Sequence, residues 1–109
     1  MVVPLKQFDT KLCYGFFSAL ANPTRLYILE QLCQGPMTVK QLVEKLGQEQ
    51  SMISHNLRPL TKCNLVRRIR EGRTILYQVN KETLGPLLET VERHSKEFCG
   101  GECPRRAGR

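Results

Sequence analysis

The segment TVKQLVEKLGQEQSMISHNLRPL, Thr38 to Leu60, carries two short helices back to back. Thr38 and Gln41 have the spacing of a capping box, in which a side-chain oxygen from each residue accepts a backbone N–H of the other at a helix start. Val39, Leu42, Val43 and Leu46 then recur at i, i+3, i+4 and i+7, one face of a helix that Gly47 closes. After a brief connection a second helix runs from near Glu49 to Lys62, with Ile53, Leu57 and Leu60 as its buried stripe. Its outer face carries short polar side chains, Gln50, Ser51, Ser54, His55 and Asn56, followed by Arg58. Pro59 should kink or tighten the last turn.

Upstream, Asn22-Pro23 reads as a cap followed by proline at the first helical position. The helix TRLYILEQLC follows, with Leu26, Leu29 and Cys33 on one face, and Gly35-Pro36 stops it. Before it, Phe8, Leu12, Phe16 and Leu20 at four-residue spacing, with Cys13 and Phe17 beside them, make a first helix with a broad apolar face. Downstream, Leu65 to Val79 switches to period two: Ile75, Tyr77 and Val79 alternate with Thr74, Leu76 and Gln78. Glu71-Gly72 lies at the middle, which gives a β-hairpin with arginines near its tip. A last helix is expected from about Leu84 to Phe98, its start blurred by Gly85-Pro86 and its end set by Gly100-Gly101. The predicted fold is mainly α with a small β-hairpin, a winged helix-turn-helix over residues 1–98, followed by a Cys-containing basic tail at 99–109.

The charge pattern fits that fold. The chain has 109 residues, which is one domain, and a formal charge of +7 from 17 Lys+Arg against 10 Asp+Glu. A monomer this small buries only about two-thirds of its unfolded surface, so oligomerisation would help it. From Arg58 to Arg73 the cations Arg58, Lys62, Arg67, Arg68, Arg70 and Arg73 face one anion, Glu71, so +5 of the total sits on the second helix and the hairpin. That is where a polyanion would lie, and the simplest polyanion is double-stranded DNA. In such a fold the second helix of the pair enters the major groove. Gln and Asn can pair with adenine edges, and Ser is permissive. Arg68, Arg70 and Arg73 would hold phosphates or probe the minor groove.

Other classes are disfavoured. No apolar run approaches the roughly 20 residues of a membrane helix. The start MVVPLKQFDT has no secretory pattern, so a cytoplasmic location with thiols, not disulfides, is expected for the five cysteines. Two histidines, no catalytic constellation and no phosphate-cradling glycine loop argue against an enzyme. The rival is a pure interaction module of the same fold but not binding DNA, which predicts weak DNA binding with no sequence preference.

Three segments, ALANPTRLYILEQL (Ala19–Leu32), LVEKLGQEQSMISHNLRPL (Leu42–Leu60) and NLVRRIREGRTILYQV (Asn64–Val79), strongly resemble the ArsR/SmtB family of bacterial and archaeal transcriptional regulators. The resemblance is close from about Phe16 to Val79 and extends to the flanking helices in general plan. It implies a homodimer built on the first and last helices. It implies binding to an inverted-repeat operator, usually as a repressor released by a metal, metalloid or redox signal. Gln50, Ser51 and Ser54 match the family's recognition-helix pattern. His55 and Asn56 stand where Arg and His are common, so no operator sequence carries over.

The family's known signal sites are mostly missing. Thr38 and Lys40 occupy the cysteine positions of its arsenic site on the third helix. Lys81 and Thr83 occupy half of its zinc site on the last helix, where only His94 and Glu97 match. Glu30 stands at the position of a redox cysteine. Cys33 and Cys63 lie in apolar contexts and are expected to pack in the core. Cys99 and Cys103 remain, in FCGGEC, four apart across a flexible turn. They could converge on As(III) or Sb(III), with Cys13 as a third thiolate. A soft divalent metal (Cd, Pb or Zn, with His94 or Glu97), a Cys99–Cys103 disulfide, or two incidental tail cysteines are the alternatives. Activation in place of repression stays open.

Overall fold

Among the described residues, four of the five α-helices begin on a side-chain cap. In the computed structural model, which describes residues 8–99, α1 spans Thr10–Leu20 and starts at Asp9, whose Oδ1 accepts the Leu12 N–H at 3.1 Å. Helix α2 (Pro23–Leu32) starts at Asn22, whose Oδ1 accepts the Arg25 N–H at 3.1 Å, with Pro23 at the first helical position. Helix α3 (Val39–Leu46) carries both halves of the expected capping box: Gln41 N–H donates to Thr38 Oγ1 at 3.1 Å, and Thr38 N–H to Gln41 Oε1 at 2.9 Å. It ends at Gly47, whose left-handed φ of 66° suits a residue without Cβ. Helix α4 (Gln50–Lys62) starts at Glu49 with no side-chain cap and continues through Pro59.

Strands β1 (Val66–Glu71) and β2 (Thr74–Val79) pair antiparallel from Val66↔Val79 to Glu71↔Thr74, closed by Gly72-Arg73 with Gly72 at φ 65°. Met37, just before α3, adds a bridge that the sequence did not announce. Its N–H donates to the Tyr77 carbonyl at 3.0 Å and its carbonyl accepts the Tyr77 N–H at 2.7 Å. Helices α2, α3 and α4 pack on one another, α4 meets β1, and β2 lies against α2 and α3. The centre is Ile28, Leu32, Leu42, Ile53, Leu60, Leu65 and Val66, all essentially without solvent contact. Each such side chain contributes about 1.5–3 kcal/mol by leaving water.

The described chain falls into two compact units that divide between Val79 and Asn80; the boundary expected at residue 98 lies at the edge of the described residues. The second unit is α5 (Lys81–His94) continued by a π-helical turn, Ser95–Cys99. Its start is Asn80, whose Oδ1 accepts the Glu82 N–H at 3.2 Å, and the helix passes through Gly85-Pro86.

Three expectations need correction. The buried seam of α2 is Ile28, Leu29 and Leu32, whereas Leu26 is exposed. Cys33 and Cys63 are exposed, because they sit at the C-caps of α2 and α4, where the core has already ended. Helix α5 starts earlier than Leu84, because the Asn80 cap outweighs the Gly-Pro pair. Among the described residues no helix is long and apolar enough to cross a membrane.

Candidate nucleic-acid interface

Helix α4 is rolled so that Ile53, Leu57 and Leu60 face inward and Gln50, Ser51, Ser54, His55 and Arg58 face solvent. An α-helix with side chains fits the roughly 12 Å width of a B-DNA major groove. Five of the six residues expected on the outer face of α4 are therefore exposed.

Asn56 is the exception and a correction. It is only 4% exposed, with Oδ1 accepting from Arg25 Nε at 3.0 Å and Nδ2 donating to the Met52 carbonyl at 2.9 Å. Its carboxamide is buried and bonded to internal partners at both ends, so it is not presented to a base edge. The spacing held the clue: Ile53, Asn56, Leu57 and Leu60 run i, i+3, i+4, i+7, so Asn56 completes the buried stripe.

The hairpin presents its cations openly. Arg67, Arg68, Arg70 and Arg73 are all exposed, as is Lys62 at the end of α4. Arg68 lies opposite Tyr77 and Arg70 opposite Ile75 on one face of the ribbon, while Arg67 pairs across to Gln78 on the other. Arg70 Nε donates to the Gly72 carbonyl at 3.2 Å, which braces the tip and turns that guanidinium back over the turn. Unit charges two residues apart along a strand repel.

The thiols are spread along the chain. Cys13 is half-buried on α1, in the first unit. Cys99 closes the π-helical turn, and Cys103 lies outside the described residues. Among the described residues no three His, Cys, Asp or Glu side chains cluster so as to hold a metal ion. Thr38 spends its hydroxyl on the α3 cap. His94 is exposed, with its ring 5.4 Å from that of Phe98.

A short helix pair, the second helix polar on its free face, followed by a cationic two-stranded wing, defines a winged helix-turn-helix DNA-binding protein. The chain belongs to the arsR family of bacterial regulatory proteins, whose model matches residues 22–68. It is 45% identical over 80 residues to the HTH-type transcriptional regulator NmtR of Mycobacterium tuberculosis, covering 73% of this chain and 67% of that one. It is 36% identical over 96 residues to the arsenical resistance operon repressor of Bacillus subtilis, covering 87% and 81% of the two chains. Its fold matches the solution structure of the homodimeric winged helix-turn-helix domain Mb0332 from Mycobacterium bovis, a possible ArsR-family regulator. That match has a TM-score of 0.73 at 27% identity and covers 98% of this chain and 97% of that one. The chain is accordingly a DNA-binding transcriptional regulator and not an enzyme.

Proposed function

We propose that this regulator is a cytoplasmic repressor that binds an inverted-repeat operator as a homodimer and leaves it when a thiophilic metalloid, As(III) or Sb(III), binds its C-terminal thiols. The observation that carries the DNA half is the exposed polar face of α4 together with a hairpin whose Arg68, Arg70 and Arg73 are exposed. Gln50, Ser51, Ser54 and His55 would read base edges. Arg58, Arg68, Arg70 and Arg73 would supply sequence-independent affinity through phosphates.

Dimerisation is supported by two apolar faces that water covers in the single chain. On α1 and just before it, Phe8, Leu12, Tyr14 and Phe17 are exposed; on α5 and its π-helical turn, Leu88, Val91 and Phe98 are exposed. A small domain seldom leaves so many large apolar groups open without a partner. The solution structure similar to this chain is homodimeric by its own description.

The inducer reading rests on the donor chemistry of Cys99 and Cys103. Two thiolates four residues apart suit a soft ion, and the residues from 99 to 109 would form a sensing tail on a domain spanning residues 1–98. The similarity to an arsenical resistance operon repressor points the same way. A coupling of about 1–3 kcal/mol would weaken operator binding about 5- to 150-fold. His94 and Glu97, exposed near Cys99, support a second reading, a soft divalent metal held by mixed ligands.

The test is fluorescence anisotropy of the reduced chain on duplex DNA from upstream of its own gene. Tight binding that collapses at near-stoichiometric arsenite is expected. The Cys99→Ser, Cys103→Ser double variant should stay bound. Release that survives this double substitution would remove the C-terminal thiols as the sensor. Binding indifferent to arsenite but lost on adding Cd, Pb or Zn would favour the divalent reading.

A further inference from the structure

One guanidinium ties three helices together. Arg25 lies in the first turn of α2, where its N–H is held by the Asn22 cap at 3.1 Å. Its Nη1 donates to the Ala19 carbonyl at 3.2 Å and to the Ser18 carbonyl at 3.5 Å. These carbonyls belong to the last turn of α1, where helical partners run out and the helix dipole favours a cation. Its Nε donates to Asn56 Oδ1 at 3.0 Å, on the buried side of α4. Asn56 in turn donates Nδ2 to the Met52 carbonyl one turn back, at 2.9 Å, which holds the carboxamide in one orientation.

The rest of the contact between α4 and the core is apolar, through Ile53, Leu57 and Leu60. Apolar burial has no direction, so that stripe resists a small roll of the helix only softly. A hydrogen bond weakens steeply off its line. Side-chain tips lie about 5–6 Å from a helix axis. A roll of about 10° therefore moves each tip by about 1 Å, more than the roughly 0.5 Å that a productive contact tolerates.

We infer that Arg25 and Asn56 form a latch that sets the roll of α4 against the C-terminal end of α1, which makes Arg25 a positioning residue for base reading and not a contact to DNA. The inference rests on the proposed reading of DNA by the outer face of α4. It assigns a role to the one polar side chain in the buried stripe of α4, and it assigns Arg25 a task separate from that of the hairpin arginines. Because the same guanidinium grips the end of α1, a displacement of α1 would reach α4 through it.

The experiment compares affinity for the upstream duplex with affinity for a scrambled duplex of the same composition, using the reduced full chain at several salt concentrations. Arg25→Lys keeps a cation for the α1 carbonyls but has no Nε to serve Asn56 at the same time. It should keep its melting temperature within a few degrees and lose about tenfold in discrimination, the scale of one good base contact. Arg25→Met and Asn56→Leu should each lose a similar factor, and the double variant no more than the worse single one. The log-log salt slope should stay at the parent value in Arg25→Met. Full discrimination in Arg25→Lys, or additive losses in the double variant, would sink the latch. A salt slope lowered by about 0.9 in Arg25→Met would make Arg25 a phosphate contact instead. A parent chain that cannot tell the two duplexes apart would overturn the base-reading proposal itself, and the latch with it.

Discussion

Thr38 and Gln41 satisfy two backbone groups as one residue pair. Replacing Thr38 by alanine removes the hydroxyl that accepts the Gln41 N–H and leaves the backbone N–H at 38 to Gln41 Oε1. Thr38→Ala should cost about 1 kcal/mol, a fall of about 4–8 °C in Tm for a domain of this size, read by thermal circular dichroism. Arg73 is exposed at the wing tip and has a different kind of role. Arg73→Ala should leave Tm alone and lower the log-log salt slope of DNA binding by about 0.9 per lost phosphate contact. An unchanged slope would remove Arg73 from the interface. Asn56 shows how single residues can mislead. A carboxamide on a recognition helix looks like a base reader because polar groups are assumed to face water. The helical spacing placed it inside, where Arg25, 31 positions away in sequence, and the Met52 carbonyl one turn back make that burial tolerable.

Two helix starts and one helix end were legible because caps are local chemistry: Asn22-Pro23 and Thr38 with Gln41 at starts, and Gly47 at an end, each act within one turn. The seam of α2 was harder to read. Leu26, Ile28, Leu29, Leu32 and Cys33 wrap more than one face, so spacing alone admits two seams, and packing against α3 and α4 selects Ile28, Leu29 and Leu32. The opening of α5 was missed because Gly85-Pro86 looks like a breaker. A proline in the second turn loses one hydrogen bond, and the Asn80 cap starts the helix before it. Helix α1 carries a prediction of its own. Leu12 is 71% exposed in the single chain, so a charge there costs the monomer little. If this face is buried between two copies, Leu12→Glu should weaken association by about 2 kcal/mol or more per copy. Sedimentation equilibrium would show monomers at concentrations where the parent is dimeric. A variant as dimeric as the parent would move the interface elsewhere.

Over the whole molecule, charge and fold agree on one kind of partner. If Arg58, Arg68 and Arg73 of both copies contact phosphates, affinity should fall about a thousandfold between 50 and 200 mM salt, measured by anisotropy on one duplex. A shallow dependence would mean that the wing stands away from the backbone. The fold could be read from the sequence because each of its signals repeats within a few residues. An inducer could not, because metal ligands meet through tertiary and quaternary structure, and spacing alone does not bring Cys13 to Cys99 and Cys103.

The bridge between Met37 and Tyr77 gives the wing a root and leaves its far end to itself. An isolated two-stranded ribbon is marginal in water. Here the Tyr77 end is fastened on both sides, whereas residues 70–74 are held only by each other and by the brace from Arg70 to Gly72. Amide hydrogen exchange should therefore be graded along a single strand, slow at Tyr77 and fast at Thr74. A ribbon anchored in this way behaves like a reed clamped at its base. If its arginines contact phosphates as proposed, they would follow the backbone as groove width changes from one DNA sequence to the next, while α4 stays where the core holds it.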